Sequence, residues 1–299
     1  EIIFKSISKL NKSLKKKIFI IGNFKIIKKQ LKDLNYRLNL NKIDDLSEFS
    51  KKIDILNIKD SRKKNYILQC IDIAHNLAIK KSINGFINCP VDKKIFRGKF
   101  NGMTEYISKK NNTKKNEIMM IYNPSLSVVP LTTHIKLNKV TSYISLKKII
   151  MKITNLNIYF KNLFKFKPKI AVLGLNPHNS EYDKNSEEVK YIIPALKKLK
   201  KMNVNVEGPF SADSFFQKNN LKKYDVVVGM YHDQVLTPFK TIFDYDAINI
   251  TLGLKYIRVS PDHGIGANII GKKIANSQSM FKAINFLNKA KYKWSQKNR

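Results

Sequence analysis

The chain has only five histidines, and three stand at or just past the end of an apolar, β-branched run. These are His134 in LSVVPLTTH (126–134), His178 in KIAVLGLNPH (169–178) and His232 in DVVVGMYHD (225–233). In an open parallel sheet the carboxyl ends of the strands line the ligand crevice, so residues remote in sequence can converge there. Neutral imidazole is a common ligand for zinc and similar ions, and three histidines leave coordination positions for water or substrate. The spacing is no local metal motif, and a single strand-end histidine is as readily a local hydrogen-bonding group, so pattern alone leaves both readings open. His75, in QCIDIAHNLAIKK, has apolar neighbours at helical spacing and reads as a structural histidine.

Other candidates cluster around the last of these runs. Asp233, beside His232, is either a turn aspartate or an acid that orients the imidazole or holds a proton. Lys240, Asn249 and Arg258 follow. Lysine and arginine bind phosphate or carboxylate, and asparagine offers a neutral donor and acceptor. A lone lysine in so lysine-rich a chain is ordinarily a solvated surface group. Arg258 is more informative, because arginine is scarce here and this one lies inside an apolar strand. The segment SPDHGIGANIIGKKIANSQS (260–279) adds Asp262, His263, Gly264, Gly266 and Gly271. Glycine lets backbone approach a nucleotide closely, but no strand-turn-helix dinucleotide fingerprint surrounds these positions. There is no Walker loop and no GxSxG elbow.

The elements that must place these residues alternate. Short β-branched runs at 17–23, 82–91, 117–123, 126–134, 169–178, 225–233 and 256–260 are separated by helical patterns at 24–36, 61–81, 145–163, 186–202 and 211–222. A final helix is expected over 274–293, and the first residues are helix-like. This alternation predicts an α/β fold with a largely parallel sheet. The Lys/Asn-rich stretch 107–117 reads as a solvated surface connection.

At 299 residues and 43% hydrophobic content the chain can bury a real core. Two cysteines, Cys70 and Cys89, make no disulfide framework and no zinc-ligand spacing, which suits a reducing cytoplasm. No apolar stretch is long enough to span a bilayer, and no signal peptide is visible. The chain opens at Glu1 directly in helix-like sequence, so a preceding segment is expected. The formal charge of +35 invites a nucleic-acid reading, but the lysines are spread along the whole chain with many Asn and Ile. With no arginine-rich arm, zinc finger or aromatic RNA-binding signature, the excess reads as compositional bias, and no specific nucleic-acid or membrane partner is expected.

Taken in order, NCPVDK, FNGMTEYIS, LTTHIKL, IAVLGLNPHNSE, IIPALKKL, GPFSADSFF, MYHDQVLTPFK, INITLGLKYIRVSPDHG and GKKIA resemble the 4-hydroxythreonine-4-phosphate dehydrogenase family of the vitamin B6 pathway. The resemblance covers nearly the whole chain and is strongest from residue 169 onward. It implies two α/β/α domains with a cleft between them, similar to isocitrate and isopropylmalate dehydrogenases: residues 1–98 with 271–299, and residues 99–270. It also implies a homodimer with the active site at the subunit interface, ligands drawn from both subunits, NAD (or NADP) and a divalent ion (zinc, magnesium or cobalt). The implied reaction oxidises the C3 hydroxyl of 4-phosphooxy-L-threonine, and the β-keto acid then loses CO2 to give 3-amino-2-oxopropyl phosphate. On this resemblance His134, His178 and His232 hold the metal, and Thr104, Lys240, Asn249 and Arg258 contact the phosphorylated substrate. Asp233 and Lys240 are catalytic, and Asp262, His263 and Gly264 belong to the cofactor loop.

The chain departs from the family in four places. The Gly-Pro-rich N-terminal loop is absent, and Met103 stands where a histidine is expected before Thr104. The segment NSEYDKNSEE is shorter and lacks glycines, and Val235 and Ile265-Gly266 replace a Gly and a Thr-Ala pair, which predicts crowding of cofactor approach. Two alternatives follow: a metal- and NAD-dependent dehydrogenase of another hydroxy acid, or a non-catalytic ligand-binding paralogue.

Overall fold

The computed structural model describes residues 1–50, 52–59, 66–96, 98–100, 102–113 and 116–290. Two sheets organise these residues. The smaller is parallel, in the order β1 (Phe19–Gly22), β3 (Ile53–Asn57), β2 (Leu40–Ile43). The larger has eight strands: β4 (Gly85–Ile87), β11 (Ile257–Pro261), β10 (Ile248–Leu252), β5 (Ile118–Asn123), β6 (Leu126–Thr132), β9 (Val226–Tyr231), β7 (Ile170–Leu173) and β8 (Val206–Phe210), in that spatial order.

The large sheet is mixed. Its parallel block, β6-β9-β7-β8, is joined to β4-β11 by three antiparallel pairings. The cause lies in the connections. Only Pro124 and Ser125 separate β5 from β6, and only 253–256 separate β10 from β11, and links this short can only reverse the chain. Asn123 closes the first turn by accepting from the Ser125 amide at 2.9 Å.

Side chains alternate across the sheet with the period of two that a strand imposes. Ile170, Val172, Val226, Val228 and Met230 enter one core, with Ile149, Ile153, Leu156 and Phe160 of the helix Leu146–Phe164. The spacing of four, three and four residues gives that helix its single apolar stripe. Ala171, Leu173 and Val227 face the other way, onto Val235, Leu236 and Phe239 of the helix His232–Phe243. A third cluster packs the helix Tyr66–Ile79 against Phe86, Met103, Tyr106 and Tyr256. A fourth joins Ile7, Leu10 and Leu14 near the start of the chain to Ile53 and to Met280 and Ile284 of the helix Gln278–Lys289. Backbone pairing between β4 and β11 connects residues 85–87 with 257–259.

His75 is buried, with Nδ1 2.8 Å from the Tyr256 hydroxyl, to which Asn111 also donates at 2.9 Å. That is a satisfied core histidine. Among the described residues no helix is long and apolar enough to cross a membrane.

Candidate functional site

The strands β6, β9 and β7 are adjacent and parallel, so their carboxyl ends open on one edge. His134 lies two residues beyond β6, and His232 directly follows β9. Thr132 pairs with Tyr231, which sets the two departures level. The rings of His134 and His232 meet, with centroids 5.7 Å apart.

Each ring shows a carboxylate to the same nitrogen. Asp233 Oδ1 is 2.7 Å from Nδ1 of His232, a hydrogen bond. Glu105 Oε1 faces Nδ1 of His134 at 3.9 Å, a contact too long for a hydrogen bond. Glu105 comes from the first turn of the helix Met103–Asn111 and was not foreseen from sequence; Thr104 precedes it, half-buried. Burial acts to raise the Glu105 carboxyl, but His134, the helix backbone and Lys93 together hold it below the ordinary range. In both rings it is Nδ1 that is turned to an acid.

His178 does not join them within the chain. It opens a run of left-handed residues, His178 to Tyr182, with φ between 46° and 59°. Its Nδ1 lies 3.6 Å from Glu181 and its Nε2 3.5 Å from Asp213, and the ring is mostly exposed. Among the described residues no three His, Cys, Asp or Glu side chains are grouped closely enough to hold an ion. One chain therefore brings two imidazoles together, and a divalent ion there would need further ligands.

Buried polar groups fix the edge from which these rings emerge. Gln234 accepts from the Met230 amide at 2.7 Å and donates to the Gly174 carbonyl at 2.7 Å, tying the end of β9 to that of β7. Glu188, fully buried, accepts from the amides of Leu175 at 2.7 Å and Asn176 at 2.9 Å. These residues carried no sequence signal beyond lying inside recognisable motifs.

On the β10–β11 ladder one face is polar. Asn249 opposes Ser260 and Thr251 opposes Arg258, while Ile248, Ile250, Ile257 and Val259 face the core. Arg258 is buried and donates to Asn88 Oδ1 at 2.7 Å and Thr251 Oγ1 at 2.9 Å. Burial lowers its pKa to about 10, so it stays charged at neutral pH, with neutral hydrogen-bond partners among the described residues. Asn249 Oδ1 is buried without a hydrogen bond. The guanidinium suits an anion, and the unpartnered Asn249 oxygen, an acceptor, suits a hydroxyl or amine donor beside it.

Lys240 reaches back from the helix His232–Phe243 to Asp262, at 3.1 Å from its carbonyl and 3.4 Å from its carboxylate. Burial raises the Asp262 carboxyl despite that lysine, and its Oδ2 has no hydrogen-bond partner. His263 bonds the Gly264 carbonyl through Nδ1 at 2.9 Å, while its Nε2 is buried and unpartnered. Gly264 faces open space. Orphaned acceptors beside an open glycine fit a hydroxyl-rich cofactor edge.

Two of the departures change meaning in three dimensions. Val235 is fully buried in the core against Gly229, so it crowds no cofactor loop. Met103 is likewise buried, with Phe96, Tyr106 and Ile107. Ile265, by contrast, is half-exposed beside Gly264.

Fold and site together define an α/β protein with paired imidazoles at the carboxyl edge of a parallel block and a buried guanidinium on β11 of the same sheet. A family model for the pyridoxal phosphate biosynthetic protein PdxA matches residues 14–287. The 4-hydroxythreonine-4-phosphate dehydrogenase of Sulfurihydrogenibium sp. is 36% identical over 299 residues, spanning 95% of this chain and 92% of its own length. That of Aquifex aeolicus is 40% identical over 214 residues, 70% of this chain and 66% of its own. A crystal structure of 4-hydroxythreonine-4-phosphate dehydrogenase from Klebsiella pneumoniae superposes with a TM-score of 0.84 at 28% identity, covering 96% of this chain and 92% of that one. The chain belongs to the PdxA family.

Proposed function

We propose that the chain is an NAD-dependent dehydrogenase (NADP being the alternative) that oxidises the C3 hydroxyl of 4-hydroxythreonine 4-phosphate, with loss of CO2 to 3-amino-2-oxopropyl phosphate. We propose further that it works in the cytoplasm as a homodimer with the site at the subunit interface. The observation that carries this reading is the His134–His232 pair, each ring backed by a carboxylate and level with its neighbour on adjacent strands.

A zinc, magnesium or cobalt ion bound there would polarise the substrate hydroxyl and stabilise the enolate left by decarboxylation. His134 and His232 would hold it through Nε2, with His178 as the third ligand. NAD would supply the hydride acceptor, so the chain's own task is placement and charge. Arg258 offers a fork that is charged at neutral pH to phosphate or carboxylate, and Asn249 a neutral donor and acceptor beside it. Thr104 adds a hydroxyl at a helix start, where anions are favoured. Lys240 supplies a second cation, held in place by Asp262. Asp233 fixes the His232 tautomer and is close enough to exchange a proton with a group bound beside that ring.

The test is direct. The whole protein with zinc, magnesium or cobalt, NAD and 4-hydroxythreonine 4-phosphate should produce NADH, read by absorbance. Absence of NADH with every metal, from a chain that includes any residues preceding Glu1 in its gene, would overturn the reading.

A further inference from the structure

We propose that Glu105 is the positioning carboxylate of His134: it holds the ring by Nδ1 so that Nε2 presents the free lone pair to the ion. The inference rests on the metal reading above and extends it to a residue outside the expected ligand set.

The geometry is paired. His232 has Asp233 hydrogen-bonded to Nδ1 at 2.7 Å, and His134 has Glu105 facing the same atom at 3.9 Å, one small ring or carboxylate rotation from a hydrogen bond, although the two acids come from unrelated elements. Asp233 is the next residue in the chain, whereas Glu105 is brought across from the helix Met103–Asn111. Both arrangements leave Nε2 uncommitted, and the rings face each other at 5.7 Å. His134 also has φ +45°, a left-handed conformation that a residue with a Cβ adopts at a cost and that clusters at functional sites. Backbone and carboxylate thus restrict the ring from two sides.

A plainer role for Glu105 is helix capping, since it is the third residue of a helix whose N-cap is Gly102. The contacts argue otherwise. Oε2, the oxygen on the Gly102 side, is buried and makes no hydrogen bond among the described residues, while Oε1 is the oxygen turned to His134. A carboxylate behind a ligating imidazole fixes its tautomer and raises its basicity, and removing it typically weakens metal binding ten- to a hundredfold, as an order of magnitude.

The test compares the whole protein with Glu105→Gln, which keeps the shape and removes the charge. Cobalt(II) is titrated and followed by its visible absorption, with thermal unfolding as the check on folding. Binding about tenfold weaker or more, at an unchanged unfolding temperature, is expected. Wild-type affinity and an unaltered cobalt spectrum in Glu105→Gln would overturn the proposal. A second measurement needs no variant: in the metal-free wild type, the 15N shifts of the His134 ring should report the Nδ1–H tautomer. An Nε2–H tautomer would overturn it equally. Failure of the underlying reading looks different, since there the wild type takes up no cobalt or His134→Ala binds it as tightly as wild type, and the role of Glu105 falls with it.

Discussion

Arg258 shows how a residue type can be read from sequence while its meaning is not. Its scarcity and its place in an apolar strand marked it as a buried cation seeking an anion. The structure shows it donating to Asn88 and Thr251, neutral groups that hold the fork without neutralising it. Neither partner could be foreseen, because each lies on another strand or at its end. Glu105 escaped for the same reason: nothing in FNGMTEYIS distinguishes it as the acid that faces a histidine 29 positions away. Arg258→Lys should therefore be costly twice. The ammonium cannot reproduce two divergent donors, so one buried acceptor loses its partner, at about 1–3 kcal/mol in urea unfolding. Saturation by the phosphorylated substrate should weaken in the same variant, and a lysine enzyme with unchanged stability and unchanged KM would show that the fork is unnecessary.

Elements with strong local patterns were legible and those defined by their neighbours were not. The apolar runs became β1, β4, β5, β6, β7, β9 and β11, and the expected helix at 145–163 is Leu146–Phe164. The helix expected at 211–222 is two short turns, Ala212–Phe215 and Lys218–Leu221. Residues 61–65 and 291–293 of two other expected helices lie outside the described residues. The strands β2, β3, β8 and β10 were not read as strands, β2 and β3 because polar residues interrupt them. In β3 the interruption is Asp54, buried, accepting from Asn41 at 2.8 Å across the β2–β3 pair and from the Ser50 amide at 2.9 Å. Burial acts to raise its carboxyl, but these hydrogen bonds prevail and hold it below the ordinary value. The unfolded chain then binds the proton more readily, so Asp54 stabilises the fold above about pH 4 and that contribution is lost as pH falls through the lower folded pKa. Asp54→Asn should flatten acid unfolding over that window, as followed by circular dichroism. The helix His232–Phe243, which carries Pro238 inside it, is not among the helices expected from sequence; its packing rests on Gly229. A Cβ there would lie 2.4 Å from Val235 Cγ1 and 2.9 Å from Gln234 Oε1. Gly229→Ala should cost about 1–3 kcal/mol by overpacking and loosen His232 with it. Wild-type urea stability would show that the helix is free to shift.

For the whole molecule, the sequence pattern placed three histidines at strand ends, and sheet order puts those strands side by side as β6, β9 and β7. What it could not show is which rings meet inside one chain, because that depends on loop geometry such as the left-handed run from His178 to Tyr182. The pair of His134 and His232 is complete within the subunit, whereas His178 is exposed between Glu181 and Asp213. An exposed ring outside the pair is what a shared site requires if His178 of one subunit completes the site of the other, as the proposed homodimer implies. Subunit mixing decides this. His178→Ala and His232→Ala should each be inactive as pure dimers. In a mixed dimer the His178→Ala subunit keeps its own imidazole pair and receives an intact His178 from its partner, so one site of the two is whole. Random reassortment of equal amounts makes about half of the dimers mixed, so activity should return to about a quarter of wild type. If instead all three rings gather within one chain through movement of the 178–182 segment, every site in the mixture lacks a ligand and no activity returns.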